Sequence, residues 1–237
     1  MSFLSRVLAV TAFSCSPVVT PDDALYSRAR ERMVADQIAA RGVKDALTLA
    51  AMRRVPRHLF VPEPQQAQAY DDHPLPIGHG QTISQPYIVG FMTEALGLSG
   101  GETVLEVGTG SGYQAAVLAH IAAHVYTIEI VEPLAEEAKR RLARLGYGNV
   151  QVRAGDGYRG WPEAAPFDAI MVTAAAPRIP EALKEQLKDR GRLILPVGDE
   201  SQELVVVVRS GNRFEERRVL PVRFVPMTGK VRESVRP

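Results

Sequence analysis

Three acidic residues and three glycines carry the spacing of a ligand site. Glu106, Gly108, Gly110 and Gly112 fall in one stretch, TVLEVGTGSGYQ (103–114). Glu129 follows Gly110 by 19 residues, and Asp156 stands inside Gly155-Asp156-Gly157. The glycines let a ligand approach the backbone closely. The alanine-rich helical sequence behind them offers a helix start, with unpaired N–H groups and a partial positive charge. The plain alternative is an ordinary glycine turn between a strand and a helix.

Two ligands compete for such a loop. A dinucleotide expects G-x-G-x-x-G, with the third glycine where helix meets strand. Here the glycines run G-x-G-x-G, and Tyr113 occupies the place of that third glycine. Glu106, two residues before Gly108, would repel a pyrophosphate. It suits an ammonium group, directly or through water. A carboxylate at Glu129 can accept from two ribose hydroxyls, and one at Asp156 can accept from an adenine amino group. Acidic residues after three successive strands therefore favour S-adenosylmethionine over a nicotinamide dinucleotide. For Glu129 the bland alternative is a surface glutamate at a strand end.

The elements that must hold these residues are an alternation of strands and helices. Strands are expected at 102–107, 124–130, 149–153, 167–173 and 191–196, with helices at 111–122, 133–145 and 180–188. Strongly apolar strands separated by helices argue a mostly parallel sheet covered on both faces, the Rossmann-like α/β class. In such a sheet ligands sit outside the carboxyl ends of the strands, where strand order reverses. The tail changes character: 203–209 and 213–225 read as antiparallel strands joined by the hairpin signal Gly211-Asn212. Upstream lies a helical extension. Thr20 is a candidate N-cap with Pro21 at the first helical position, and Tyr26, Ala29, Met33 and Ile38 fall near one face before the stop at Gly42. A second helix covers 45–53, and a third runs from Pro86 to about residue 98.

Residues 54–86 are dense in proline and glycine, yet too apolar for a solvated linker, and are expected to be an irregular segment packed over something. Asp71, Asp72, His73, His79, Gln81, Thr82, Ser84 and Gln85 lie in it. For His73 and His79 loop hydrogen bonding is expected, because no second pair has metal-ligand spacing. The chain has 237 residues, 46% hydrophobic and 23% charged, with a net charge of +1. That balance is ordinary for a globular protein and gives no bulk electrostatic grip on nucleic acid. One cysteine, Cys15, excludes an intrachain disulfide and a cysteine metal cluster. Arg6, the apolar stretch 7–13 and Ser14-Cys15-Ser16-Pro17 read as a short secretion signal, a poor lipoprotein signal, a disordered extension or a mis-called start. The organisation expected is an extension over 1–20 and one domain over 21–237. That domain divides into N-terminal helices with a covering segment (21–98), a cofactor core (99–200) and a β region (201–237).

Together these stretches resemble a known family. MVADQIAARGVKD (33–45), VPRHLFVP (55–62), AYDDHPLPIGHGQTISQP (69–86), EVGTGSGYQAAVLA (106–119), GDG (155–157), PFDAIMVTAAAP (166–177), LPVG (195–198) and RFVP (223–226) are similar to protein-L-isoaspartate O-methyltransferases. The most specific part surrounds PLPIGHGQTISQP. The resemblance spans about residues 25–230 and leaves the first two dozen outside. It implies a class I S-adenosylmethionine-dependent methyltransferase. Such an enzyme methylates the α-carboxyl of L-isoaspartyl residues in damaged proteins and peptides; the ester then closes to a succinimide, whose hydrolysis restores some aspartyl linkages. It further implies Ser84 as the active-site serine, Glu129 as the ribose contact, and Asp156 and Gly157 lining the adenine. Gly108 and Gly110 would lie under the methionine part; Pro86, Tyr87 and Thr228 are carried over less firmly. The segment 223–226 would be a strand pairing with the substrate backbone.

The chemistry implied asks little of side chains. A carboxylate with an ordinary pKa of about 3.5–4 is already ionised at neutral pH, so no general base is needed. Orienting the reactants can be worth roughly 7–11 kcal/mol. No catalytic metal is expected. Ser84 then reads as an orienting donor; a loop serine bonded to local backbone is the alternative. A small-molecule or nucleic-acid methyltransferase and a non-catalytic module that binds S-adenosylmethionine or a nicotinamide dinucleotide are the rival functions. Because the methyl donor is made in the cytoplasm, that location is expected, with no membrane or nucleic-acid partner and a monomeric state.

Overall fold

The computed structural model describes residues 21–233, so the expectations placed on 1–20, including Thr20 and Cys15, lie outside the described residues. A seven-stranded sheet organises the chain, in the order β5-β4-β3-β6-β7-β8-β9. Its parallel half is β3 (Thr103–Val107), β4 (His124–Glu129), β5 (Val150–Ala154), β6 (Phe167–Val172) and β7 (Leu187–Val197). The antiparallel half is β8 (Gln202–Ser210) and β9 (Arg213–Val222), turned at Gly211-Asn212 as the hairpin signal requires. Strand β3 is central, and Val104, Leu105, Glu106 and Val107 in it are all buried, as expected of a parallel strand covered on both faces. The chain leaves β3 toward β4 on one side and reaches β6 on the other. Strand order therefore reverses between β3 and β6, and a crevice opens outside their carboxyl ends.

Two apolar clusters sandwich the sheet. One gathers Met33, Ile38, Met52, Phe60, Tyr113 and Leu118 beneath the N-terminal helices α1 (Pro21–Arg32), α2 (Ala46–Arg54) and α3 (Pro86–Leu96), with α4 (Tyr113–Ala119). The other gathers Trp161, Phe167, Leu183 and Leu187 on the opposite face, near α6 (Glu181–Glu185). Helix α5 (Glu132–Arg144) buries Leu134, Ala135, Ala138 and Leu142, an i, i+4, i+8 row that makes one face apolar. After α1 the chain loosens into a π-helical stretch, Met33–Ile38, before Gly42 ends the run in the left-handed region. The i, i+5 spacing of Met33 and Ile38, both 0% exposed, matches that wider turn.

Two expectations need correction here. The helix expected over 180–188 stops at Glu185, and Leu187 already belongs to β7, paired with Phe167. The segment expected to be irregular, 54–86, contains two 3₁₀ turns and a hairpin, β1 (Leu75–Gly78) with β2 (Gln81–Ile83). The hairpin turn is made by His79 and Gly80, both at positive φ (52° and 70°). His79 is therefore a turn residue, and the His73 ring bonds the neighbouring Pro74 carbonyl, both in line with loop chemistry.

Candidate functional site

The crevice holds two adjoining pockets. The first has about 620 Å³ of empty space and is lined by residues from the ends of the parallel strands: Val107, Gly108, Gly110, Glu129, Gly157 and Thr173 among them. Hairpin residues Gln81 and Thr82 close one side, and the chain after β9, Val225 to Thr228, closes another. The second pocket is larger, about 1640 Å³, and more open; Ser84, Tyr87, Arg41, Pro221 and Phe224 are in its wall. Thr82, Thr173 and Val225 line both.

The glycine loop owes its shape to left-handed backbone. Gly108 has φ 101°, and a Cβ there would overlap the Thr173 hydroxyl, which donates to the Gly108 carbonyl at 2.7 Å. Gly110 has φ 51°, and its N–H donates to Glu129 Oε2 at 2.8 Å. Val131 N–H donates to Glu129 Oε1 at 3.0 Å. These two bonds fix the carboxylate at the end of β4, with lone pairs left over for two further donors. Ile130, 41% exposed, adds an apolar face next to it.

Not every residue nominated from the sequence reaches the pocket wall. Glu106 is 0% exposed and sits under the loop. Thr127 donates to its Oε2 at 2.5 Å, and its Oε1 has no partner among the described residues. Burial pushes its pKa up to about 8; the Thr127 hydrogen bond opposes this and the Glu129 charge reinforces it. Gly112, at φ 87°, caps α4 and would press a Cβ onto Leu142 at 3.1 Å; it is not among the residues that line the pocket. Gly157 lines the pocket, and a Cβ on it would overlap Val107. Asp156 beside it is not among the lining residues. Its Oδ1 accepts from Tyr158 N–H at 2.9 Å and its Oδ2 from Lys230 N–H at 2.8 Å, which ties down α7 (Lys230–Glu233).

On the acceptor side, Ser84 is half-buried between β2 and α3, and its hydroxyl has no hydrogen-bond partner among the described residues. Pro86 is buried at the first turn of α3, behind the wall, whereas Tyr87 lines it with the Arg41 guanidinium 3.5 Å above its ring. Thr228 lines the first pocket. The strand expected at 223–226 is a correction: β9 ends at Val222. The main chain of Phe224 is taken at both ends by the Gln202 side chain, which accepts from its N–H at 2.6 Å and donates to its carbonyl at 3.2 Å. Val225 O and Met227 N are bonded to Ala175. Pro226 brings no N–H to a ladder, and the segment runs as a strap past Ala175 instead.

Thr173 was missed in the sequence. It follows β6 directly, the strand next to β3 across the switch point, so the rule that nominated Glu129 applies to it equally. Among the described residues no group of three or more histidine, cysteine, aspartate or glutamate side chains could hold a metal ion.

The first pocket presents one carboxylate and no basic side chain. That set can accept from a ribose diol, and its single carboxylate suits a neighbouring cationic group. Its residues therefore fit S-adenosylmethionine.

Comparison with known proteins points the same way. Residues 28–232 match the sequence model of Protein-L-isoaspartate(D-aspartate) O-methyltransferase (PCMT). A Shewanella sediminis protein-L-isoaspartate O-methyltransferase 2 is 56% identical over 218 residues, covering 91% of this chain and 89% of the relative. A solved protein-L-isoaspartate O-methyltransferase structure superposes with TM-score 0.79 at 32% identity, over 85% of this chain and 67% of the other. A Plasmodium falciparum structure described as a beta-aspartate methyltransferase, in complex with S-adenosyl-L-homocysteine, gives TM-score 0.74 at 26% identity, over 84% of this chain and 98% of the other.

Proposed function

The chain belongs to the protein-L-isoaspartate(D-aspartate) O-methyltransferase family, and from that membership we propose how its residues divide the work of methylating isoaspartyl carboxyls in damaged proteins. S-adenosylmethionine, when bound, supplies the methyl group from its sulfonium. Glu129 accepts from the ribose hydroxyls, since its two main-chain donors leave lone pairs on both oxygens. Gly108 and Gly110 give the amino-acid end of the ligand a wall without side chains, and Gly157 with Ile130 gives the base an apolar seat. Thr228 closes that seat from the strap. Glu106 acts through the loop as a buried counter-charge to the ammonium. Asp156 acts by holding Gly157 and α7, not by direct contact.

The isoaspartyl carboxylate enters the second pocket and needs orientation, not deprotonation. The Ser84 hydroxyl donates to it, and Tyr87 and the strap at 220–225 face the peptide on either side. The observation that carries this reading is the junction of the two pockets at Thr82, Thr173 and Val225, which lets one ligand meet another there. We further read the chain as one catalytic unit over 21–237, acting as a monomer on proteins and peptides in the cytoplasm, without nucleic-acid or membrane partners. Ser84→Ala tests the assignment. Loss of one hydrogen bond to a charged group is worth about 1.5–3 kcal/mol, so turnover should fall roughly 10- to 100-fold. S-adenosylhomocysteine affinity, read by calorimetry, should hold. Unchanged turnover would remove Ser84 from the mechanism.

A further inference from the structure

Arg57 keeps a charge in a place where water cannot reach it. Its side chain is 0% exposed. No carboxylate pairs with it among the described residues; Asp72, which acts on it electrostatically from further off, is itself bonded to Arg41 and Gln85. Taking an ion out of water costs several kcal/mol, and an apolar residue of similar volume is often as stable or more so. Burial accordingly pulls the guanidinium pKa below its usual value, with Tyr113 opposing. Stability alone is therefore a poor reason for an arginine here.

Its contacts suggest a better one. Nε donates to the Ala69 carbonyl at 2.7 Å, and Nη2 donates to the Ser84 carbonyl at 2.8 Å. Its guanidinium carbon lies 4.9 Å from the ring centroid of Tyr113, the first residue of α4, directly behind the glycine loop. Ser84 occupies the joint between β2, which ends at Ile83, and α3, whose first internal acceptor is the Gln85 carbonyl. The Ser84 carbonyl thus falls between two regular elements, and the arginine fork supplies its donor. The same side chain spans from that joint to the base of the cofactor helix.

We propose that Arg57 is a positioning residue for methyl transfer: its fork holds the Ser84 main chain, and hence the Ser84 hydroxyl, in fixed register with the glycine loop. This rests on the orienting role assigned to Ser84 above. Lysine keeps the charge but replaces a planar fork with a point donor, so it can reach one carbonyl well and not both.

The test is a double-mutant cycle on kcat with Arg57→Lys, Arg57→Gln and Ser84→Ala, using full-length protein and an isoaspartyl peptide. Melting and S-adenosylhomocysteine binding identify which Arg57 variant is folded, and that variant enters the cycle. Expected is a fall in kcat of roughly 10- to 100-fold in the Arg57 variant, the scale of a misplaced catalytic group. Its S-adenosylhomocysteine affinity should stay within about twofold, and adding it to Ser84→Ala should slow the enzyme little further. Lysine should retain more activity than glutamine. Independent, multiplying losses in the double variant overturn the proposal, as does a variant that melts earlier but turns over normally, or failure of both substitutions to fold. Slow Ser84→Ala beside normal turnover in the Arg57 variant overturns this proposal alone. Full turnover in Ser84→Ala removes the serine reading and the proposal with it.

Discussion

Two glutamates on neighbouring strands, Glu129 in the wall of the first pocket and Glu106 beneath it, differ sharply in their surroundings. Glu129 ends β4 with two main-chain donors and an open face. Glu106, near the end of β3, is fully buried, takes the Thr127 hydroxyl on one oxygen and has no partner for the other among the described residues. Its pKa of about 8 stands above the ordinary carboxyl value of 4.5, so the folded chain keeps a proton that the unfolded chain has lost. The stability this gives is complete below about pH 4.5 and is lost as pH rises through about 8. Glu106→Gln keeps the shape and removes the titration. The ligand-free wild type should therefore lose melting temperature relative to Glu106→Gln between pH 5 and about 8.5, and run parallel to it above. Parallel curves across the whole range would mean that Glu106 is ionised when buried. A ligand ammonium near the loop favours the charged form, so cofactor binding should release a proton near neutral pH.

Among the elements, the glycine loop splits into contact and scaffold. Gly108 and Gly110 line the pocket, whereas Gly112 faces Leu142 and Ala138 on α5. Gly112→Ala would force a Cβ into the left-handed region at φ 87° and onto Leu142. A cost of about 1–3 kcal/mol follows, several degrees of melting temperature. KM for the cofactor should stay near the wild-type value in the folded fraction, checked by a thermal melt beside initial rates; a large KM increase would return Gly112 to the pocket. The inner parallel strands β3 and β6 were legible as largely apolar runs closed by glycine or threonine, and the edge strand β5 by the alternation of Val150 and Val152 with polar residues. The hairpin at 75–83 was not. Its strands are short, and prolines at 74 and 76 hide the period of two. The helix expected to reach Lys188 was misread because Leu183 and Leu187 stand four apart, a helical spacing, while each packs from a different element. Glu129 could be read from a strand end; the burial of Arg57 could not, because an arginine between two prolines looks like loop surface.

At the scale of the whole molecule, the carboxyl ends of the parallel strands wall the first pocket, and N-terminal residues together with the chain around 220–225 wall the second. The parallel core accounts for Glu129, Gly108, Gly110 and Gly157. The hairpin, Ser84 and the strap from Leu220 to Thr228 build the far wall, and they meet the core at Thr82, Thr173 and Val225. On the proposed reading, a substrate peptide lies in the open pocket while one of its carboxylates reaches that junction. Isoaspartyl and aspartyl residues carry the same carboxylate and differ in whether the chain continues through Cβ or Cα. A cleft whose walls face the peptide on both sides can separate them by main-chain direction, with little demand on neighbouring side chains. The most direct measurement is transfer of labelled methyl from S-adenosylmethionine to an isoaspartyl peptide beside its aspartyl twin of identical sequence. Labelling of the isoaspartyl peptide with the twin at background is expected. Equal labelling of both, or of neither, would contradict it.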